Sequence, residues 1–123
     1  MRIREALSPT VCIRYEERAG EIFERIQSTG FSHLIVTRGG EIAGVISEKD
    51  LPLADAESPI GDAAKSAPIV DSSTSVIVAE RLMRSGEVDC LPVVDDGVIA
   101  GVITLDAVIE AATSPSRRQA RSE

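Results

Sequence analysis

The sequence predicts a mixed α/β (α+β) fold made of two βαββα repeats that pack as a pseudo-twofold sandwich. Three observations support this prediction. The chain repeats itself at an offset of 57 residues, each copy shows the same order of strand and helix periodicities, and the apolar residues are nearly all aliphatic. Hydrophobic residues form 43% of the 123 residues but aromatic residues only 2%, which is typical of a core in which strands pack against helices.

The internal repeat is clearest when the chain is shifted by 57 residues. The shift places Ile3 of IREA on Ile60 of IGDA, and it places HLIVTRGGEIAGVIS (33–47) on CLPVVDDGVIAGVIT (90–104). Such self-similarity predicts two copies of one structural unit, spanning residues 1–54 and 55–112. A unit of about 57 residues cannot bury a sheet face and a helix face by itself, so we expect the two repeats to pack against each other.

The elements of the first repeat follow from their hydrophobic periods. TVCIR (10–14) alternates as a strand does, and AGEIFERIQS (19–28) has the apolar spacing of one helical face. HLIVT and EIAGVIS then form two strands around a tight turn, where Gly40 supplies the positive φ that such turns require. A closing helix, EKDLPLA, is expected to break early at Pro52.

The second repeat shows the same order of elements. SVIVAERLMRS (75–85) is predicted to be a helix, CLPVV and VIAGVIT a hairpin that turns at Gly97, and LDAVIEAA a closing helix that ends near Ala112. Pro92 has no N–H to donate, which predicts a position at the start or the edge of a strand. Residues 52–59 connect the repeats, and residues 113–123 have no apolar period and are predicted to be disordered.

Charge and hydropathy argue against several classes of protein. The formal net charge of −7 is unfavourable for a general nucleic-acid binder, which must neutralise phosphates with Lys and Arg. No apolar run approaches the roughly 18 to 20 residues that span a bilayer, and the start, MRIREALSP, lacks the apolar segment of a signal peptide. We therefore expect a cytoplasmic protein that binds neither nucleic acid nor membrane.

The second hairpin and the repeat together carry a family resemblance. The hairpin contains the run Pro92 to Asp95 followed by Gly97, and the first repeat contains a complete G-h-x-[ST]-x-x-D element from Gly44 to Asp50. Residues 1–112 thereby resemble a tandem pair of cystathionine β-synthase (CBS) domains, a Bateman module. The resemblance implies a regulatory module without catalytic activity or a required cofactor. It also implies an adenosine-containing ligand (AMP, ADP, ATP or S-adenosylmethionine) between the repeats, a homodimer, and signalling to an unknown effector protein.

Ser47 and Asp50 are the main candidate binding residues. Their spacing also fits a helix start with Ser47 as the N-cap, so a purely structural role stays open. As a ligand site, a helix start favours phosphate, Ser47 can donate to a phosphate oxygen, and Asp50 can accept hydrogen bonds from both ribose hydroxyls. The resemblance implies that Pro68, Val88 and Asp89 of the second repeat lie opposite them, around the adenine.

A second, weaker site is expected around Thr104. Three residues after it stands Ala107, and the carboxylate comes one position early as Asp106, which is a rotation of about 100° on a helix. The resemblance implies that the opposite wall of this site contains Val11, Phe31 and Ser32. We therefore expect one competent site around Asp50 and a degenerate or weaker one around Thr104.

The charges near Ser47 favour a ligand with few phosphates. Glu48 and Asp89 are negative, and Lys49 is the only adjacent cation, although Arg14 or Lys65 can still contribute from a neighbouring element. We therefore expect AMP or another adenosine species of modest charge in preference to ATP.

Two alternatives remain open. A structural or dimerisation module without a nucleotide ligand also accounts for the degenerate second repeat. An enzyme needs a nucleophile and a base, and the sequence offers only Cys12 or Cys90 with the single histidine, His33. His33 and Cys90 occupy equivalent repeat positions and can meet across the pseudo-twofold axis, which suits packing equally well. There is no CxxC motif or His cluster, so free thiols are expected rather than a disulfide framework or a zinc site.

Overall fold

Two three-stranded sheets form the framework of the protein in a computed structural model that describes residues 1–53 and 55–113. The first sheet contains β1 (Cys12–Arg14), β2 (His33–Arg38) and β3 (Glu41–Ser47), and the second contains β4 (Val70–Asp71), β5 (Cys90–Asp95) and β6 (Val98–Thr104). The α-helices are α1 (Ala19–Gln27), α2 (Val76–Gly86) and α3 (Leu105–Thr113), and short 3₁₀ helices span Ile3–Glu5, Glu48–Leu53 and Ile60–Ala63. The predicted mixed fold of two similar repeats is confirmed.

The two sheets have the same topology and register. In each sheet the first strand pairs in parallel with the second, and the second pairs antiparallel with the third. The hairpin β5–β6 repeats β2–β3 at the 57-residue offset, including its bulge, which lies at Val36/Thr37 in the first hairpin and at Val93/Val94 in the second. The predicted turn glycines, Gly40 and Gly97, have φ angles of +83° and +80°.

Each repeat is completed by the segment that precedes the first strand of the other repeat. Ser8 exchanges two backbone hydrogen bonds with Val102 of β6, at 2.9 and 3.1 Å, and Lys65 makes the equivalent pair with Val45 of β3, at 2.8 and 2.9 Å. Ile3 is fully buried in the core of the second repeat, and Ile60 is fully buried in the core of the first. This exchange ties the two halves together through backbone pairing as well as apolar contact.

The two cores are aliphatic, as the composition predicts. Helix α2 begins at an N-cap, Ser75, whose hydroxyl accepts a hydrogen bond from the N–H of Val78, and Glu87 ends it in the left-handed conformation. The buried side chains of the first core are those of Ile13, Ala19, Ile22, Ile26, Leu34, Val36, Ile46, Leu51 and Ile60. Those of the second are Ile3, Val70, Val76, Ala79, Met83, Val88, Leu91, Val93, Ile103 and Val108.

Two local predictions need correction. The closing segment of the first repeat, Glu48–Leu53, is a 3₁₀ helix, because Pro52 has no N–H for the α-helical bond to the carbonyl of Glu48. Pro92 is the third residue of the central strand β5 and is buried, not at the start of a strand or on an edge strand. It is tolerated there because β4 pairs with β5 only from Val93 onward.

The C-terminal end is described only as far as Thr113, which ends α3. The rest of the segment predicted to be disordered, residues 114–123, lies outside the described residues. Within residues 1–53 and 55–113, no helix has the length and the apolar character that crossing a membrane requires.

Candidate functional site

The end of β3 brings the Ser47 to Asp50 element against the second repeat. The backbone pairing of Val45 with Lys65 holds the two repeats side by side at this point. The Lys65 ammonium lies 3.9 Å from the Asp50 carboxylate, and both side chains remain partly accessible, with relative exposures of 60% and 33%. Asp50 therefore lies near a cation of the other repeat and stays accessible to solvent. A carboxylate that binds a ligand must be accessible in this way.

Asp89, just before β5, also reaches across to the first repeat. One of its carboxylate oxygens lies 3.4 Å from the Lys49 ammonium and 3.3 Å from Nε2 of His33. Burial by itself raises the pKa of Asp89, but the contacts with His33 and Lys49 outweigh it and hold that pKa below its usual value. The carboxylate is therefore ionised at neutral pH. We call the group of Ser47, Lys49, Asp50, Lys65 and Asp89 the Asp50 cleft, a name for these residues as a proposed binding site.

The hydroxyls at the two strand ends differ. Ser47 and Thr104 are equally buried, each with 7% relative exposure. Oγ1 of Thr104 accepts a hydrogen bond from the Ala107 N–H at 3.1 Å and caps α3. Within residues 1–53 and 55–113, the Ser47 hydroxyl makes no hydrogen bond, so the N-cap role that was open for Ser47 is performed by Thr104 alone of the two.

The residues expected around Thr104 have other local partners. The carbonyl of Val11 accepts the Ile35 N–H at 3.1 Å, and Phe31 packs on the first core. The Ser32 carbonyl accepts the Glu48 N–H at 2.8 Å. Each is thus placed by the first repeat itself.

Asp106 lies exposed in the first turn of α3. Among the described residues, no hydrogen bond or ion pair joins Thr104 or Asp106 to Val11, Phe31 or Ser32. The grouping of Thr104 and Asp106 with Val11, Phe31 and Ser32 therefore stays a prediction.

Pro68 and Val88 occupy different surroundings. Pro68 is exposed two residues before β4. Val88 is buried in the second core and, with Leu105 and Ile109, lines a cavity of about 260 Å³ between α2 and α3. Of the residues expected opposite Ser47 and Asp50, Asp89 alone forms a described ion pair with the first repeat.

The cysteines are not paired with each other, and their thiols are not activated. Burial, with a smaller effect of the Asp89 charge, raises the pKa of Cys90 to about 12, and desolvation raises the pKa of Cys12. A nucleophilic cysteine needs a lowered pKa. The predicted approach of His33 to Cys90 does occur, because ligand-type atoms of His33, Asp89 and Cys90 all lie within 4.8 Å of one another.

Sequence reasoning identified the Ser47 to Asp50 element and the adjacent cation Lys49, and it left open whether Arg14 or Lys65 contributes a further charge. Lys65 is distant in sequence and has no motif of its own. The repeat is the one signal for its position, because Lys65 is equivalent to Ser8 at the 57-residue offset. The exchange of the leading segments, which the sequence does not reveal, places each of these residues beside the sheet of the other repeat.

Comparison with models of protein families matches the chain twice to the CBS domain, at residues 3–57 and 60–114. The chain belongs to the CBS domain family. The two matches make it a tandem CBS pair, and CBS domains are in general regulatory modules without catalytic activity. Among curated protein sequences, no match to this tandem CBS pair was found.

Solved CBS structures have the same fold. The CBS domain of a bacterial CNNM/CorC family Mg²⁺ transporter is 25% identical, with a TM-score of 0.76 over 89% of this chain and 73% of that chain. The CBS domain of this transporter family in complex with ATP gives the same identity, TM-score and coverage of this chain, over 85% of its own chain. A hemolysin-like CBS protein of Oenococcus oeni is 18% identical, with a TM-score of 0.75 over 89% and 88% of the two chains, and shows the fold alone.

Proposed function

We propose that this tandem CBS module is a regulatory protein that binds an adenosine-containing ligand in the Asp50 cleft and passes the binding signal to a partner protein. The observation that carries the proposal is the Ser47 to Asp50 element, in which a hydroxyl that makes no hydrogen bond to any described residue is followed by an accessible carboxylate beside Lys65. The similar CBS domain that was solved in complex with ATP supports the class of ligand.

In this proposal each group of the cleft has a distinct role. The Asp50 carboxylate accepts hydrogen bonds from the ribose hydroxyls, Ser47 donates to a phosphate oxygen, and Lys65 lies near enough to pair with phosphate charge. Lys49 is already paired with Asp89 and can reorient, since 75% of its side chain is exposed. Pro68, Val88 and Asp89 remain the proposed wall around the adenine.

The charge balance favours AMP over ATP as the ligand. Lys49 and Lys65 contribute two positive charges near the cleft, whereas Glu48, Asp50 and Asp89 contribute three negative ones. A triphosphate would enter a region of net negative charge, while a monophosphate meets less repulsion. S-adenosylmethionine is an alternative ligand to AMP for the same site. The Thr104 region is proposed as a second, weaker site.

The wider setting of the module belongs to the same proposal. We place the repeats at residues 1–54 and 55–112 in a Bateman module. A homodimer is part of this proposal, with Ile77 and Val78 of α2, which are 65% and 43% exposed, as candidate contacts. A cytoplasmic location is supported by Cys12 and Cys90, because free thiols are typical of a reducing compartment.

The experiment is isothermal titration of the full chain with AMP, ADP, ATP and S-adenosylmethionine. Hydrogen bonds to a charged group contribute roughly 1.5 to 3 kcal/mol each, so Asp50→Ala should weaken AMP binding by at least about tenfold. The matched control is Asp106→Ala, which alters an exposed carboxylate at the other strand end and should leave the tighter site unchanged.

A thermal-shift measurement decides between this function and the structural alternative. A ligand at a hundred times its dissociation constant should stabilise the fold by roughly 2.7 kcal/mol. If no adenosine compound raises the melting temperature or releases heat, the protein is a structural or dimerisation module. Equal AMP affinity of the Asp50→Ala variant and the native protein would remove Asp50 from the site.

A further inference from the structure

Three side chains with metal-binding atoms converge at the boundary between the two repeats. His33 begins β2 in the first repeat, whereas Asp89 and Cys90 lie at the start of β5 in the second. One nitrogen, one carboxylate oxygen and one sulfur from these residues all lie within 4.8 Å of one another. An imidazole, a carboxylate and a thiol are the ligand types that bind Zn²⁺ in proteins.

The orientation of His33 leaves one ring nitrogen for a ligand. Its Nδ1 lies 2.9 Å from the Ser32 hydroxyl, so that hydroxyl can fix the ring and its tautomer. Its Nε2 is buried and, among the described residues, makes no hydrogen bond, although an Asp89 oxygen lies only 3.3 Å away. A buried ring nitrogen that faces a carboxylate oxygen at 3.3 Å can share a metal ion with that carboxylate.

The spacing of these atoms is close to that of a zinc site. Bonds of about 2.0 to 2.3 Å to a tetrahedral Zn²⁺ place neighbouring ligand atoms about 3.4 to 3.6 Å apart. The distance between His33 Nε2 and the Asp89 oxygen, 3.3 Å, already matches this. The Cys90 sulfur lies within 4.8 Å of both atoms, so its distance to each must shorten by at most about 1.4 Å, which small side-chain rotations of the three residues can supply.

We propose that His33, Asp89 and Cys90 form a Zn²⁺ site that links the two CBS repeats. The thiolate and the carboxylate neutralise the charge of the ion, and the open fourth position faces the accessible side, where Asp89 is 39% exposed and Lys49 is 75% exposed. Because the ligands come from both repeats, bound zinc fixes the orientation of one repeat relative to the other. The site does not require the proposed nucleotide function.

Lys49 serves as the cation of the metal-free site. Its ammonium lies 3.4 Å from the same Asp89 oxygen that faces His33. A divalent ion at Asp89 must displace this ammonium, which can move into solvent because the side chain is largely exposed. Lys49 and the metal therefore compete for Asp89.

The sequence alone did not indicate a zinc site, because the usual spacing motifs put several ligands close together in one segment. Here His33 precedes Asp89 and Cys90 by 56 and 57 residues, about one full repeat, and the packing of the two repeats brings it to them. The proposal thus departs from the expectation of no metal.

The test titrates the full-length reduced protein with Co²⁺ and then with Zn²⁺. We expect the near-ultraviolet absorption of a cobalt-bound thiolate, its displacement by Zn²⁺, and a higher melting temperature with zinc. Cys90→Ser should remove this absorption and weaken binding by at least about tenfold. The matched control is Cys12→Ser, which changes the other free thiol and should leave the absorption intact.

A second pair of variants keeps the test decisive if Cys90→Ser does not fold. Lys49→Gln removes the competing ammonium and should tighten metal binding by about fivefold. Lys65→Gln is the control, because Lys65 pairs with Asp50 instead of Asp89. The proposal is overturned if Co²⁺ gives no thiolate absorption with the native protein, if Cys90→Ser retains it, or if Lys49→Gln and Lys65→Gln bind the metal equally. None of these outcomes depends on AMP binding.

Discussion

The exchange of leading segments can be tested by adding a single methyl group at Gly44. A β-carbon on this residue would lie 2.5 Å from the Lys65 carbonyl oxygen and 3.1 Å from its carbonyl carbon. The obstacle is backbone, so no flexible side chain can move aside. Gly44→Ala must therefore push the backbone around Lys65 away from β3.

The magnitude follows from what this displacement breaks. The Val45 N–H donates to the Lys65 carbonyl at 2.9 Å, and the Lys65 N–H donates back at 2.8 Å. Losing two such bonds costs about 2 kcal/mol, and overpacking costs about 1 to 3 kcal/mol more, part of which is relieved by the displacement itself. We expect Gly44→Ala to lower the free energy of unfolding by about 3 kcal/mol. Because Lys65 also lies beside Asp50, AMP affinity should fall as well.

The assay is urea unfolding of the full chain followed by circular dichroism, with AMP titration of the folded variant. Gly86→Ala is the matched control, because a β-carbon there has its nearest neighbour at 3.7 Å and should stabilise the end of α2 slightly. Gly101→Ala is the equivalent change in the second repeat, with the Ser8 carbonyl oxygen at 2.6 Å and a φ of +152°. Native-like stability of Gly44→Ala would refute the close backbone approach.

Three other outcomes are expected. Ile60→Ala should lower the free energy of unfolding by about 2 to 5 kcal/mol in the same urea assay, because Ile60 is fully buried in the core of the opposite repeat. If it lowers that free energy no more than Ile77→Ala, which alters an exposed side chain, the placement of Ile60 is contradicted. Thr104→Ala should lower the free energy of unfolding by about 1 kcal/mol, because it removes the cap of α3, and Ser47→Ala should lower it by less. If thermal unfolding shows the same loss for both variants, the proposed difference between the two hydroxyls is contradicted. Although burial raises the pKa of Glu17, hydrogen bonds from the Arg14 N–H and the Arg25 guanidinium outweigh it and hold that pKa below its ordinary 4.5. Its contribution is therefore present above pH 4.5 and lost as the pH falls through the lower folded-state value, so Glu17→Gln should cost about 1 kcal/mol at neutral pH and little in acid; a cost that persists in acid would be evidence against the charged contact.

The hairpins and the long helices could be predicted because their signals are local. The alternation in HLIVT and EIAGVIS and the turn at Gly40 lie within one short segment, so the sequence alone defines β2 and β3. The same holds for α1, whose apolar face follows helical spacing. The repeat extended each prediction to its counterpart in the second half.

Features that depend on distant pairing could not be predicted in this way. Pro92 was expected at the start or the edge of a strand. It is tolerated inside β5 because β4 pairs with β5 only from Val93 onward, and the partner of Val93 is Val70, 22 residues before Pro92. Ile3 and Ile60 align with each other in sequence, yet alignment does not reveal that each is buried in the core of the other repeat. Likewise, the role of Lys65 beside Asp50 follows from tertiary exchange.

The inequality of the two strand ends has a physical origin beyond the shifted carboxylate. At Thr104 the chain continues into an α-helix, whose first turn leaves N–H groups unpaired, and the Thr104 hydroxyl is used to satisfy that of Ala107. At Ser47 the chain continues into a 3₁₀ helix that contains Pro52, and among the described residues the Ser47 hydroxyl caps no N–H of that helix. The two hydroxyls therefore differ in local role: Thr104 caps a helix, whereas our proposal gives the Ser47 hydroxyl to the ligand.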